Sequence, residues 1–201
     1  MNNSIECVTK IIKSILTALY QPFWAAIMIS ILFSLLYMLI KEYNISIKQL
    51  LIKWYRNFLN LRKFRITFII YIYISLILCK TVLYRSIWAN PLSNVMGGWG
   101  LYDADGNLTT EAIENLMLFI PFAVLLLWAF RKELLGDKPG LKKTLWVATK
   151  TVGIFSFVIE FSQLLFHLGT FQISDLVYNT LGGTIGGFAY YIIYKFRHRN
   201  G

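Results

Sequence analysis

Cysteine is scarce in this sequence: Cys7 stands near the start and Cys79 inside an apolar run, so no disulfide framework is implied. Acidic residues are few as well, ten Asp and Glu against twenty Lys and Arg, and charged residues fill only 15% of the 201 positions. A soluble domain carries about one-quarter charged residues. With 57% hydrophobic residues and a mean hydropathy of +0.56, a water-exposed globule is not expected. Serine-nucleophile signatures, phosphate-cradling glycine loops and thioredoxin pairs are missing too, as are internal repeats and low-complexity tracts. The net charge of +10 would suit nucleic acid if the cations formed one face. Instead they fall in blocks between long apolar runs, which is the layout of a polytopic membrane protein.

A helical span needs about 20 apolar residues. The runs predict an all-α bundle of five transmembrane helices, at about residues 22–40, 66–84, 113–130, 145–168 and 173–194. The first follows Gln21-Pro22 and ends at Lys41-Glu42 without a small-residue cleavage pattern, so it is expected to remain as an anchor. Ahead of it, Val8, Ile11, Ile12, Ile15 and Leu16 have the spacing of an amphipathic helix lying on the membrane surface. Gly97-Gly98-Trp99-Gly100, Asp103 to Asn107, and Gly136 with Pro139-Gly140 mark turns.

Orientation follows from charge. Residues 41–65 hold seven Lys or Arg against one Glu, residues 131–143 hold five against two acids, and the tail adds Lys195, Arg197 and Arg199. All three lie on one side of a five-span arrangement and are expected in the cytoplasm by the positive-inside rule. The N-terminus is then outside and the C-terminus cytoplasmic. The long segment from Arg85 to Ala112, with Asp103, Asp105 and Glu111, is expected on the external face.

Polar groups within spans are expensive and usually face the bundle interior, so each is a functional candidate. Glu160, Gln163 and His167 share one stripe of the fourth span, and Asp175 and Asn179 one face of the fifth. Lys80 and Arg85 near the end of the second span, and Asn115 near the start of the third, fall at the same level. The connector of residues 169–172 is too short to let the last two helices separate. A polar pocket open to the outer leaflet is therefore predicted. A structural reading stands beside it: Glu160 as a buried ion pair with Lys80 or Arg85, Gln163, Asn115 and Asn179 as interhelical hydrogen bonders, and His167 as structural or wet. Gly182, Gly183, Gly186 and Gly187 continue the polar face of the fifth span as paired small residues, the pattern of helix packing.

No metal or cofactor is expected. Glu160, His167 and Asp175 offer permissible zinc ligands, but one histidine is a poor match to catalytic zinc spacing. Asp103, Asp105, Asn107 and Glu114 echo a calcium loop, yet Leu108 stands where glycine is required. A turn followed by a helix start, with Glu111 and Glu114 near its positive end, accounts for them. Lys53-Trp54-Tyr55-Arg56 fits contact with anionic lipid, and nucleic acid is not an expected partner.

Read in order, Arg85, Asn90-Pro91, Asn115 before Phe119-Ile120-Pro121-Phe122, Glu160-x-x-Gln163, Asp175-x-x-x-Asn179 and Thr180-Leu181-Gly182-Gly183 resemble the VanZ-like membrane proteins. The resemblance runs from about Ile66 to Tyr194, and its final block is the most specific part. Members often carry an arginine and further aspartates where this chain has Leu168, Gln172 and Ser174. The resemblance implies low-level resistance to teicoplanin, a lipoglycopeptide acting outside the cell on lipid-anchored peptidoglycan precursors, and implies no settled reaction.

The chain accordingly divides into an amphipathic segment (1–21), a first span with its basic loop (22–65), a VanZ-like transmembrane domain (66–196) and a basic tail (197–201). The expected protein sits in the bacterial plasma membrane among membrane lipids and binds an amphiphile in the outer leaflet. The candidates are a lipoglycopeptide or a lipid-linked precursor. An intramembrane enzyme with Glu160 or Asp175 as general base, and a lipid flippase or transporter, are the alternatives. No catalytic residue is assigned.

Overall fold

In hydrocarbon a backbone must satisfy its own N–H and C=O groups, and long apolar runs therefore fold into helices. The computed structural model describes residues 2–42, 45–102 and 109–197. The helices are α1 (Asn2–Tyr20), α2 (Phe23–Lys41), α3 (Ile47–Asn60), α4 (Arg62–Leu78) prolonged by a π-helical turn (Cys79–Leu83), α5 (Glu111–Ala129), α6 (Arg131–Leu135), α7 (Leu141–Phe166) and α8 (Ile173–Arg197). The turn at Asp103 to Asn107, with Leu108, and the tail beyond Arg197, with Arg199, lie outside the described residues.

The five expected spans are α2, α4, α5, α7 and α8, and the fold is an all-α membrane bundle. Four of these, α2, α4 with its π turn, α5 and α7, are long and apolar enough to cross a bilayer. At 25 residues α8 has the length, about 37 Å. Its apolarity is lower because Asp175, Asn179 and the four glycines are spent on burial against neighbouring helices. A helix held between others can be less apolar than one surrounded by lipid.

Two helices form inside segments expected to be basic connections. Ser46 accepts from the Gln49 backbone N–H while the Gln49 side chain accepts from the Ser46 N–H, a capping box that starts α3. Trp54 then anchors α3, donating to Ser34 Oγ on α2 at 2.7 Å and meeting Phe68 of α4 edge-on at 5.4 Å. The short α6 ends at Gly136, whose φ of 79° suits glycine. The apolar core is built by Ile77, Leu118, Phe119, Phe122, Val152 and Ile159. Pro121 removes one N–H from α5. α5 continues through it, and one turn earlier the Tyr73 hydroxyl donates to the Leu118 carbonyl at 2.8 Å.

α8 runs antiparallel to α7 and parallel to α5, and its glycines serve both contacts. Gly182 and Gly186 lie against the carbonyls of Leu116 and Ile120 on α5. A methyl group added to Gly183 would come within 2.5 Å of Val152 Cβ, and one on Gly187 within 2.6 Å of Ala148 Cβ. Only a residue without Cβ fits such an approach.

Candidate functional site

The pairing of α7 with α8 fixes what lies above the glycines. Ala148 meets Gly187 and Val152 meets Gly183; Ser156 accepts from Asn179 Nδ2 at 2.9 Å. One turn further along the same register sets Glu160 opposite Asp175. The stripes of the two helices thus become one polar seam, as the short connector requires.

Each group in the seam has a definite partner. Glu160 Oε2 accepts from the backbone N–H of Gln172, at 2.9 Å, where the chain enters α8. A carboxylate at that position also meets the positive end of the helix. Gln163 Nε2 donates to the Thr81 carbonyl at 2.6 Å, reaching the π turn that ends α4. The orphan carbonyls of a helix end are natural acceptors for such a donor. Asn115 of α5 hydrogen-bonds to the Asp175 carboxylate, and the Arg85 guanidinium lies 3.9 Å from Asp175 Oδ2. All four elements expected to contribute do so.

Lys80 takes a different place. Its Nζ is 2.6 Å from Glu114 Oε2, and Glu114 Oε1 accepts from Thr110 Oγ1 at 2.6 Å and from Ser14 of α1. The charge of Lys80 still acts on Asp175, but its direct partner is Glu114. Neither Lys80 nor Arg85 forms an ion pair with Glu160 among the described residues. The physical reason is that Glu160 finds its hydrogen bond in the backbone at the start of α8, while the π turn aims Lys80 at α5.

The expected open pocket is closed in this structure. Glu160, Gln163 and Asn179 are each at most 2% exposed. The segment after Arg85 lies over the α7–α8 connector and is joined to it by backbone hydrogen bonds. Trp88 N–H donates to His167 O at 2.8 Å, Gly169 to Ser86 O at 3.0 Å, Phe171 to Pro91 O at 2.9 Å and Ile173 to Val95 O at 2.9 Å. Gly97 sits against Ser174 and Gln172, and the Tyr178 hydroxyl accepts from Gly100 N–H at 2.9 Å. The cover turns Ile87, Trp88, Leu92, Met96 and Trp99 outward, all exposed. Arg85, whose side chain is 31% exposed, is the part of the polar group that reaches the surface.

His167 ends α7 in the left-handed conformation, φ 55°, with Nδ1 3.2 Å from the Trp88 carbonyl. Among the described residues no three His, Cys, Asp or Glu side chains gather as a metal set. Two buried acceptors, Gln163 Oε1 and Asn179 Oδ1, have no hydrogen-bond partner among the described residues. The seam is therefore rich in acceptors, with one cation at its edge. The sequence does not point to Ser156 or Thr81 as members of the seam, and it offers Glu114 only as an acid at a helix start and Gln172 only as a departure from the family's pattern. Ser156 lies four residues before Glu160 and was findable on the same stripe. Thr81 and Gln172 act through backbone atoms, which leave no trace in residue type.

The sequence model of the VanZ/LLP1 family matches residues 23–194. Among characterised proteins, the chain is 33% identical over 85 residues to Protein VanZ of Enterococcus faecium. That alignment covers 42% of this chain and 46% of the relative, so it spans about half of the relative's length. No solved structure matches.

Proposed function

This chain belongs to the VanZ/LLP1 family, and from that premise we propose that it lowers bacterial susceptibility to teicoplanin-like lipoglycopeptides by holding an amphiphile at the covered end of the bundle. The amphiphile is the drug with its acyl anchor or a lipid-linked cell-wall precursor. In this reading the covered end faces outward, the N-terminus is outside and the C-terminus is cytoplasmic. The basic segments 41–65 and 131–143 support that orientation.

One observation carries the proposal. Arg85 is partly exposed, and its closest carboxylate contact among the described residues is the 3.9 Å approach to Asp175. A guanidinium has five donors in a planar fork suited to phosphate or carboxylate. Most of that capacity remains for a headgroup arriving from the membrane surface. Beneath it, the unpartnered acceptors Gln163 Oε1 and Asn179 Oδ1 suit hydroxyl or amine groups once the cover moves. The exposed apolar side chains of that cover suit an acyl chain.

The test is teicoplanin susceptibility of cells carrying Arg85→Gln, Asp175→Asn or Glu160→Gln at matched protein abundance. Each is expected to lose most of the protection, while the lipid-facing change Leu181→Ile keeps it. Full protection by all three polar variants would refute the site. Incubating purified protein with lipid-linked precursor separates binding from catalysis, since chemical turnover would make the chain an enzyme instead.

A further inference from the structure

The opposite end of the bundle, unlike the closed Glu160 seam, holds an open concavity of about 500 Å³, where the ends of α4, α5 and α8 meet α6. Three arginines line it, Arg62 at the start of α4, Arg131 at the start of α6 and Arg197 at the end of α8. We propose that this cavity binds the phosphate headgroup of an anionic membrane lipid, in the leaflet opposite the Glu160 seam.

Charge is the first argument. Among the described residues none of the three arginines has a carboxylate partner, and the acid nearest in sequence, Glu133, is engaged by Lys63 at 2.8 Å. Three guanidinium groups gathered on one cavity repel one another, and an anion between them removes that repulsion. Arg131 Cζ lies over the Tyr194 ring, 5.6 Å from its centroid, a cation–π contact that holds the guanidinium at the cavity.

Depth and wall composition identify the occupant as a lipid. Arg62 begins one candidate span and Arg131 follows the end of another at Ala129, which is the level of headgroup phosphates. One to two helical turns deeper, Val124, Trp128 and Ile193 supply an apolar wall. An acyl chain would cover that wall; a free phosphate would leave it exposed. Trp128 at the boundary fits the interfacial belt.

The experiment uses the purified full chain in neutral detergent, with retained lipid counted by native mass spectrometry. Phosphatidylglycerol, phosphatidylcholine and inorganic phosphate serve as probes. Wild-type protein should retain one phosphatidylglycerol in preference to phosphatidylcholine. Arg62→Gln/Arg131→Gln/Arg197→Gln should weaken retention about a hundredfold, at about 1 kcal/mol per cation near a membrane surface. Val124→Trp, which fills the cavity and leaves every charge, should weaken it about tenfold by steric exclusion. Lys132→Gln/Lys138→Gln/Lys142→Gln, removing equal charge from exposed positions nearby, should leave it within about twofold if the site is the arginine cavity. Should the arginine triple variant fail to fold, Arg62→Gln/Arg197→Gln, both at exposed positions, is expected to weaken retention about thirtyfold. Equal retention of phosphatidylcholine, loss in the lysine control matching the arginine variant, or full retention by Val124→Trp would overturn the proposal. Displacement by inorganic phosphate at equal concentration would also overturn it, by making the ligand a soluble anion.

Discussion

The α7–α8 seam keeps one register along its length, yet its two halves are built of opposite chemistry. Toward the basic end, Ala148 and Val152 face Gly187 and Gly183, and the helices touch through their backbones. Toward the covered end, Ser156 and Glu160 face Asn179 and Asp175, and the helices touch through polar side chains. Lipid already solvates apolar surface, so helices in a bilayer associate through close packing and hydrogen bonds rather than a hydrophobic drive. The glycine half supplies the packing and sets the register. The polar half inherits that register and can devote its side chains to chemistry.

Filling the glycine half is expected to do the most damage. Gly183→Leu is expected to destabilise the bundle by about 3 kcal/mol, since Val152 cannot retreat from a side chain built into its place. Thermal unfolding in detergent should show it, and Gly183→Ala should be partly rescued by Val152→Ala. A Gly183→Leu protein that melts like wild type would mean that the register does not depend on the glycines.

In the polar half a pair of substitutions at one residue sharpens the contrast. Glu160→Ala strands the buried Gln172 N–H and should lower stability by about 2 kcal/mol, whereas Glu160→Gln keeps an acceptor oxygen and should lose less than half of that. If stability falls equally in both, the negative charge and not the hydrogen bond supports the fold. A smaller effect is expected from Ser156 and Asn179, where a double-mutant cycle to alanine should give a coupling of about 0.6 kcal/mol. Coupling near zero would show that the contact contributes no stability of its own.

The exposed Lys63–Glu133 pair provides the baseline. The Lys63 hydrogen bond, with its charge, holds the Glu133 carboxyl below the usual carboxylate range. A lowered carboxyl pKa supports the folded state at neutral pH, and that support is lost as pH falls through the folded-state value. Because the pair is solvated, Lys63→Ala should shift the melting temperature at neutral pH least of all these variants, and not at all once Glu133 is protonated.

Much of this was legible along the chain. Apolar runs of span length announce helices because hydrocarbon allows few other structures, and the spacings of Glu160 with Gln163 and of Asp175 with Asn179 reveal shared faces. The capping box at Ser46 and Gln49 is also present in the residues, but the cations of α3 give it the look of a connecting loop. Partner choice was less accessible. Lys80 meets Glu114 because a π turn redirects it, and Glu160 meets a backbone N–H that residue type does not reveal.

Local order along this chain settles which segments are helical, which faces are polar and where small residues permit contact, because helical periodicity repeats over only a few positions. Which acid Arg85 approaches, how the segment from Ser86 to Gly100 covers the seam, and how Arg62, Arg131 and Arg197 come to share one cavity are decided by packing. These groups are separated by tens of residues along the chain, and only the docking of whole helices brings them to distances at which charge and hydrogen bonding act.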